Sequence, residues 1–191
     1  MITNNLKAGC FSDVADRVTS KGWTNKISDA VNKIFGTSKK YNITFYNRSA
    51  WPASYPKFPE DYAGLTWARY FAGVLKVDVY LNDIALANAS QEHIAATLLH
   101  EIAHGIIKYE GKDGETSDHN VMYQQYITEM TKGLQEMFPA IDPYDADALA
   151  YEGLLETIWG AASLKAFPMM WKNRQDVWKA YLNGTKGTKC K

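Results

Sequence analysis

Apolar residues recur at helical spacing in two stretches near the start of the chain and alternate with polar residues in the next one. The helical spacing predicts helices over Phe11–Ser20 and Ile27–Phe35, and Gly36 after the second stretch is a typical stop. Tyr41–Asn47 alternates, with apolar and aromatic side chains on one face, and this predicts a strand. The beginning of the chain therefore predicts two helices followed by a strand.

Two more alternating stretches, Leu65–Phe71 and Val74–Leu81, are separated by an Ala-Gly pair. A two-residue connection ending in glycine predicts a hairpin. Ser49–Gly64, ahead of the hairpin, contains three prolines among aromatic residues and is predicted to be an ordered surface loop. Together with Tyr41–Asn47, the hairpin predicts a small, mostly antiparallel sheet in the N-terminal half of the chain.

The rest of the chain predicts helices. One begins after the N-cap Ser90 and reaches Glu110, with a core face formed by every fourth residue: Ile94, Leu98, Ile102 and Ile106. A polar, glycine-containing turn over Tyr109–Ser117 separates it from a helix over His119–Phe138. The last two helices and a flexible tail are predicted over about Pro143–Ala162, Trp171–Leu182 and residues 184–191.

This order of elements predicts an α+β fold with a small N-terminal sheet, a central helix and a helical C-terminal half. At 191 residues, the simplest organisation is one domain. Lysine plus arginine and aspartate plus glutamate each number 21, so no net charge favours nucleic acid as a partner. No apolar run has the length of a membrane span, so we expect no membrane partner.

The sequence says less about the cellular compartment. The N-terminus lacks a basic region followed by an apolar one, so no signal peptide is predicted. We expect either an intracellular protein or part of an effector that a dedicated secretion system exports. The two cysteines, Cys10 and Cys190, are compatible with one disulfide or with two free thiols.

The central helix carries an H-E-x-x-H motif made of His100, Glu101 and His104. Two histidines four positions apart are offset by about 40° around a helix and roughly 6 Å along it. Both imidazoles therefore project from one face and can hold one metal ion. Glu101 points about 100° away from His100, which suits a base that takes a proton from metal-bound water. The motif thus predicts metal-assisted hydrolysis.

A hydrolytic zinc site usually takes three protein ligands and leaves one position for water. Our first candidate for the third ligand is His119, which begins a helix after a turn that can fold back. Asp118 is the nearest competitor, although it is also a good N-cap for that helix. Glutamates on the later helices are further candidates: Glu129, Glu152 and Glu156. His93, in the first turn of the central helix, is expected to face solvent.

Three segments resemble zincin metallopeptidases, and more narrowly the metallopeptidase domains at the C-termini of bacterial polymorphic toxins and SprT-like proteins. These segments are Leu81–Gly105, Asp118–Met130 and Asp145–Gly160. The metzincin extension of the motif is absent, because Ile107 and Glu110 stand where that family has glycine and histidine. The resemblance implies a zincin-like fold around the central helix.

The resemblance also implies a zinc-dependent endopeptidase, with Zn²⁺ held by His100, His104 and His119 and with Glu101 as the catalytic base. A protein or peptide substrate, a role as the toxic domain of a secreted bacterial effector, and a cognate immunity or inhibitor protein would follow. Two alternatives stay open, namely a hydrolase of peptidoglycan cross-links and a non-catalytic, zinc-stabilised binding module. The intact Glu101 argues against the binding module, because a purely structural site needs no base.

Two further parts of such a catalytic site are expected. An exposed strand edge ahead of the central helix can pair with an extended substrate backbone. A tetrahedral intermediate needs a second electrophile beside the metal. The candidates are three tyrosines of the C-terminal half: Tyr123, Tyr126 and Tyr151.

Overall fold

The computed structural model describes residues 1–53, 57–112, 118–154 and 157–190. Its four strands are β1 (Ile2–Asn4), β2 (Tyr41–Asn47), β3 (Gly64–Phe71) and β4 (Val74–Leu81). They form one sheet in the order β1-β2-β4-β3. β1 pairs with β2 and β2 with β4 in parallel, whereas β3 and β4 are antiparallel. The sheet is therefore mixed, and the prediction of a mostly antiparallel sheet is wrong.

The parallel pairings follow from how the chain returns to the sheet. Two helices lie between β1 and β2, namely α1 (Cys10–Thr19) and α2 (Lys26–Ala30). A short π-helical segment over Val31–Phe35 continues α2. A helical crossover brings the chain back in the same direction. Only β3 and β4 are joined by a tight turn, in which Ala72 and Gly73 have φ of 49° and 76°. Positive φ at both positions is what a type I′ hairpin requires.

The C-terminal half is helical, as predicted. The helices that follow the sheet are α3 (Gln91–Tyr109), α4 (Asp118–Gln125), α5 (Ile127–Met137), α6 (Pro143–Ala150), α7 (Ile158–Ala166) and α8 (Pro168–Leu182). Two stretches predicted as single helices are divided, one at Tyr126 and one after Ala150, where the chain turns through Gly153. The α+β class is confirmed. None of the helices in the described ranges combines the length and the apolar character needed to cross a membrane.

Helix α3 is the element around which the others pack. The Oγ of Ser90 accepts a hydrogen bond from the backbone N of His93 at 3.2 Å and caps the helix. The predicted core face is buried: Ile94, Leu98, Ile102 and Ile106. Gly105 lies against β4, because a Cβ at this position would be 2.8 Å from Cγ1 of Val77. This close approach fixes the H-E-x-x-H turn next to the sheet.

The C-terminal tail covers the beginning of α3. Thr188 donates from its backbone N and its Oγ1 to the Glu92 carboxylate at 2.8 and 2.7 Å, and its carbonyl accepts from Gln91 N at 2.9 Å. Cys190 forms a disulfide with Cys10 at the start of α1, which decides between the two cysteine states that the sequence allows. The sequence predicts a flexible tail because the tail itself has no apolar pattern. The contacts that hold it come from distant parts of the chain.

Candidate metal centre

One face of α3 lines a cavity of about 1030 Å³. Seven residues of the helix contribute to its wall, and five of them recur at every third or fourth position: His93, Thr97, His100, His104 and Lys108. Their spacing of three or four residues puts them on one side of the helix. The other walls include β3 and the segment before it, the start of α4, the end of α6 with the turn after it, and α8. The cavity therefore follows most of α3, with the H-E-x-x-H motif near its middle.

Three histidines converge in this cavity. Nε2 of His119 lies 3.2 Å from Nε2 of His100 and 3.1 Å from Nε2 of His104. Ligand nitrogens of the three side chains all lie within 4.8 Å of one another, an arrangement that could hold a metal ion. His119 approaches from the second position of α4, so the start of α4 lies beside the turn of α3 that carries the motif. The structure thus brings together the three histidines that the sequence selects.

The protonation states around these histidines suit a metal ion. Burial lowers the pKa of His100 well below its usual 6.5, and the neighbouring His104 and His119 lower it further. A hydrogen bond between Oδ2 of Asp118 and Nδ1 of His104, 3.2 Å long, lowers the pKa of Asp118, although burial acts in the other direction. An ionised Asp118 accepts the proton on Nδ1 and leaves the lone pair of His104 on Nε2. Asp118 therefore orients a histidine of the trio and does not join it.

Glu101 lies in the wall of the same cavity. The residue is 7% exposed, and burial raises the pKa of its carboxyl. Strand β3 covers it closely, because Thr66 donates its Oγ1 to the backbone carbonyl of Glu101 at 2.8 Å. A buried carboxyl with a raised pKa, in a cavity with three imidazoles, is a candidate for proton transfer.

Two glycines complete the site, and the sequence reasoning missed both. A Cβ on Gly64 would lie 2.8 Å from Cγ of Glu101, so this glycine makes room for the carboxyl. Gly153 has φ of 76°, and a Cβ on it would lie 3.3 Å from Cε1 of His100. An isolated glycine inside a helical pattern often has a packing reason, and Gly153 carries that signal. Gly64 carries none, because it ends a proline-containing loop.

His93 is buried, so the expectation that it faces solvent is wrong. It is 0% exposed, and burial lowers its pKa from 6.5 to about 4. Its Nδ1 lies 3.4 Å from Oε2 of Glu152, yet neither ring nitrogen makes a hydrogen bond with a described residue. The first turn of α3 is covered because Ser90 N donates to the carbonyl of Tyr181 on α8 at 2.9 Å and the C-terminal tail lies beside it.

Two of the three glutamates considered as candidate ligands, Glu129 and Glu152, do not join the histidines. Glu129 accepts a hydrogen bond from the backbone N of Lys26 at 2.7 Å and lies outside the cavity wall. Glu152 lines the cavity, but the metal-capable group found among the described residues consists of histidines alone. Glu156 lies outside the described residues.

The three candidate tyrosines are not found in the described cavity wall. The hydroxyl of Tyr126 donates to the carboxylate of Glu110 at 3.1 Å. The rings of Tyr123 and Tyr151 contact each other, with centroids 5.5 Å apart. These are packing arrangements, which is a common use of tyrosine in a protein core. A different tyrosine, Tyr62 before β3, lines the cavity and is 51% exposed.

The strand edge beside the cavity belongs to β3 and not to β4. β4 is paired on both sides, with β2 and β3, whereas β3 ends the sheet within the described part of the chain. Residues 64–68 of β3 line the cavity. The exposed edge expected from the sequence on the strand before the central helix therefore lies on the neighbouring strand, β3.

Comparison with known proteins does not place the chain in a family. A scan against models of known families, a search of curated proteins and a search of solved structures each found no match. The chemistry of the site itself is the basis for a function.

Proposed function

We propose that this protein is a zinc-dependent endopeptidase. One observation carries the proposal: three imidazole nitrogens converge in a cavity that also contains a buried carboxyl, that of Glu101. Imidazole is a common zinc ligand, and a site with three protein ligands keeps a fourth position for water or substrate. A purely structural zinc site normally fills all four positions with protein and has no use for a nearby base.

The residues present fit zinc for two reasons. His100, whose pKa is lowered by desolvation, stays neutral, as a ligand must. His104 is fixed in one tautomer by Asp118, the carboxylate–histidine arrangement common around zinc. Bound there, zinc would supply an electrophile for a peptide carbonyl and make water acidic enough to lose a proton near neutral pH.

Glu101 would accept a proton from water and pass it to the departing amine. Its raised pKa suits both steps, because the carboxyl can hold the proton between them. The free edge of β3 would bind the substrate as an extended strand through backbone hydrogen bonds. Residues 64–68 of this strand line the cavity, so a peptide paired with them would lie beside the three histidines.

The test compares the wild-type protein with the Glu101→Gln variant on a peptide library, with the cleaved ends identified by mass spectrometry. We expect about one zinc per chain in both proteins, since one three-ligand site is present. Glutamine keeps the shape of the side chain but cannot act as a base, so kcat/KM should fall roughly 10²–10⁴-fold. Near-normal hydrolysis by Glu101→Gln would contradict the proposal.

Two further variants serve as controls. Glu129→Gln removes a carboxylate outside the cavity wall and should keep both zinc and hydrolysis. A double His100→Ala, His104→Ala variant should lose both together. If the double variant kept its zinc, the metal would lie elsewhere.

The same proposal includes action outside the reducing cytoplasm, in keeping with an exported effector. Its support is the disulfide between Cys10 and Cys190, because disulfides persist in oxidising compartments and are rare in the cytosol. Thiol labelling of the protein recovered from its native cells tests this part. Two free thiols there would contradict it.

A further inference from the structure

The cavity extends beyond the three histidines toward the first turns of α3. At this end its wall includes three residues that can make polar contacts and three apolar ones: His93, Thr97, Glu152, Leu149, Trp178 and Leu182. We call these six residues the far subsite. Helix α8 belongs to this end of the cavity, because the carbonyl of Tyr181 accepts the hydrogen bond from Ser90 at the N-cap of α3.

Two polar groups of the far subsite lie next to each other, with Nδ1 of His93 3.4 Å from Oε2 of Glu152. His93 makes no hydrogen bond from either ring nitrogen to a described residue. Burial raises the pKa of Glu152 to about 8, and no described arginine or lysine is found in an ion pair with it. The Glu152 side chain is 31% exposed and lines the cavity, so a ligand in the cavity can reach it. A buried histidine without a hydrogen bond is rare and unfavourable, and one that lines a cavity beside a carboxyl group points to a ligand.

The charges of the cavity favour a cation as this ligand. Its described wall carries four acids: Asp61, Glu101, Asp118 and Glu152. Its lysine, Lys108, lies four residues beyond His104 on α3 and thus away from the far subsite. A cation would stabilise the ionised form of Glu152. The acids of the wall disfavour a carboxylate as the ligand, and an apolar group would leave the ring nitrogens of His93 without a hydrogen bond.

The distance to the three histidines suits a long side chain. His93 and His100 are seven residues apart, which is about 10 Å along a helix axis. Lysine and arginine extend roughly 6–7 Å from Cα to the charged group and bury an apolar stem on the way. If the scissile carbonyl lies at the histidines, an adjoining residue can place its charged group beside Glu152. Trp178 and Leu182 offer apolar surface for the stem.

We propose that the far subsite binds a lysine or arginine side chain of the substrate, at a residue that adjoins the scissile bond. Glu152 would pair with the cation and His93 would accept one of its N–H groups. This inference rests on the proposed peptidase function and names the substrate class for the same cavity.

The first test uses matched peptides that carry lysine, arginine, norleucine or glutamate on either side of a bond cleaved by the wild-type protein. We expect kcat/KM at least tenfold higher for the basic residues than for norleucine. Glu152→Gln should reduce this ratio to within about twofold, because a neutral amide cannot pair with the cation. Glu129→Gln removes a carboxylate outside the cavity wall and should keep the ratio. A wild type without the preference, or an unchanged ratio in Glu152→Gln, overturns the inference.

The second test measures binding without hydrolysis. The four histidine side chains are followed by NMR while n-butylammonium, n-butylguanidinium, 1-pentanol or butyrate is added. We expect saturable shifts at His93 with the two cations only, and at least tenfold weaker binding by Glu152→Gln. Thermal unfolding shows whether Glu152→Gln is folded. The titration of the wild-type protein does not depend on that variant and tests the inference by itself. The absence of a saturable shift at His93 in the wild type overturns the inference.

The two tests separate this inference from the proposed function. If the protein binds n-butylammonium at His93 but cleaves no peptide, the far subsite is supported and the proposed peptidase function is refuted. If the protein cleaves peptides without preferring basic residues, the peptidase function is supported and the proposed specificity of the far subsite is refuted.

Discussion

Replacing Gly64 by alanine should displace Glu101 and leave the three histidines in place. The added Cβ would lie 2.8 Å from Cγ and 2.9 Å from Oε1 of Glu101, and 3.0 Å from Cγ2 of Thr97. Carbon atoms ordinarily keep about 3.5–4.0 Å between them, so the Glu101 side chain must move by roughly 0.5–1 Å. The φ of Gly64 is not positive, so alanine adds a steric clash without backbone strain.

A shift of this size is large on the scale of catalysis. A misplacement of about 1 Å can lower a rate roughly 10²-fold, which corresponds to about 2.7 kcal/mol of activation free energy. The cost in stability should be at the lower end of the roughly 1–3 kcal/mol seen for overpacking, because the nearest atoms belong to a flexible side chain. We therefore expect kcat/KM to fall about 30–100-fold, with zinc content unchanged.

The assay measures kcat/KM, bound zinc and the thermal midpoint for Gly64→Ala in two backgrounds, the wild type and Glu101→Gln. If Gly64→Ala acts through the Glu101 carboxylate, it should hardly change kcat/KM in the Glu101→Gln background, which lacks that carboxylate. An equal loss in both backgrounds would refute this reasoning, as would a wild-type-like rate in Gly64→Ala. Loss of zinc would show that the clash disturbs the histidines instead.

Three further predictions follow from contacts around α3. Asp118→Asn should lower the affinity for zinc about 10–100-fold, and His119→Ala should lower it far more. Competition with a chelator measures both affinities, and equal losses would make Asp118 a ligand. Opening the Cys10–Cys190 disulfide, which spans a sequence separation of 180, should lower the free energy of unfolding by up to about 5 kcal/mol; an unchanged denaturation midpoint with reductant would contradict this. The pKa of His93 falls from 6.5 to about 4 on folding, so its contribution to stability is full above pH 6.5 and is lost toward pH 4. Between pH 6.5 and pH 4, the free energy of unfolding in urea should therefore decrease by up to roughly 3 kcal/mol less in His93→Gln than in the wild type. The same pH dependence in both proteins would contradict this prediction.

Elements whose formation depends on neighbouring residues could be predicted from the sequence. β2 and β4 begin and end at the predicted residues, because alternation over seven or eight residues is a strong local pattern. Ser90 caps α3 as predicted. The metal motif belongs to the same category, since His100 and His104 share a face through the geometry of one helix.

The sheet pairing could not be predicted in this way. β1 has three residues, Ile2–Asn4, too few for a pattern, and its parallel partner β2 begins at Tyr41. Parallel pairing depends on the path of the intervening helices, which periodicity does not encode. The break at Tyr126 is hidden for a related reason, because the apolar stripe continues across it from Met122 to Met130.

His93 shows why the sequence does not reveal the far subsite. From the sequence it is a polar residue in the first turn of a helix, a position usually exposed to solvent. The first turn in which it lies contacts α8 and the C-terminal tail, which follow it by more than seventy residues. Glu152 is recognised from the sequence only as a possible ligand, since the pattern places it in a helix interior, and the structure ends that helix at Ala150.

The contacts of the tail support one end of the cavity, the end near the first turn of α3. His93, His100 and His104 lie on one helix, so the distance between the far subsite and the metal centre is fixed by the helix itself. The bonds from Thr188 to Glu92 hold the first turn of that helix, whereas Asp118 and His119 reach the metal centre from α4. Loosening the tail should therefore disturb the surroundings of His93 before those of the three histidines. Opening the disulfide would then weaken the preference for basic residues more than it weakens zinc binding, because the tail supports the substrate-selecting end of the cavity and not the metal.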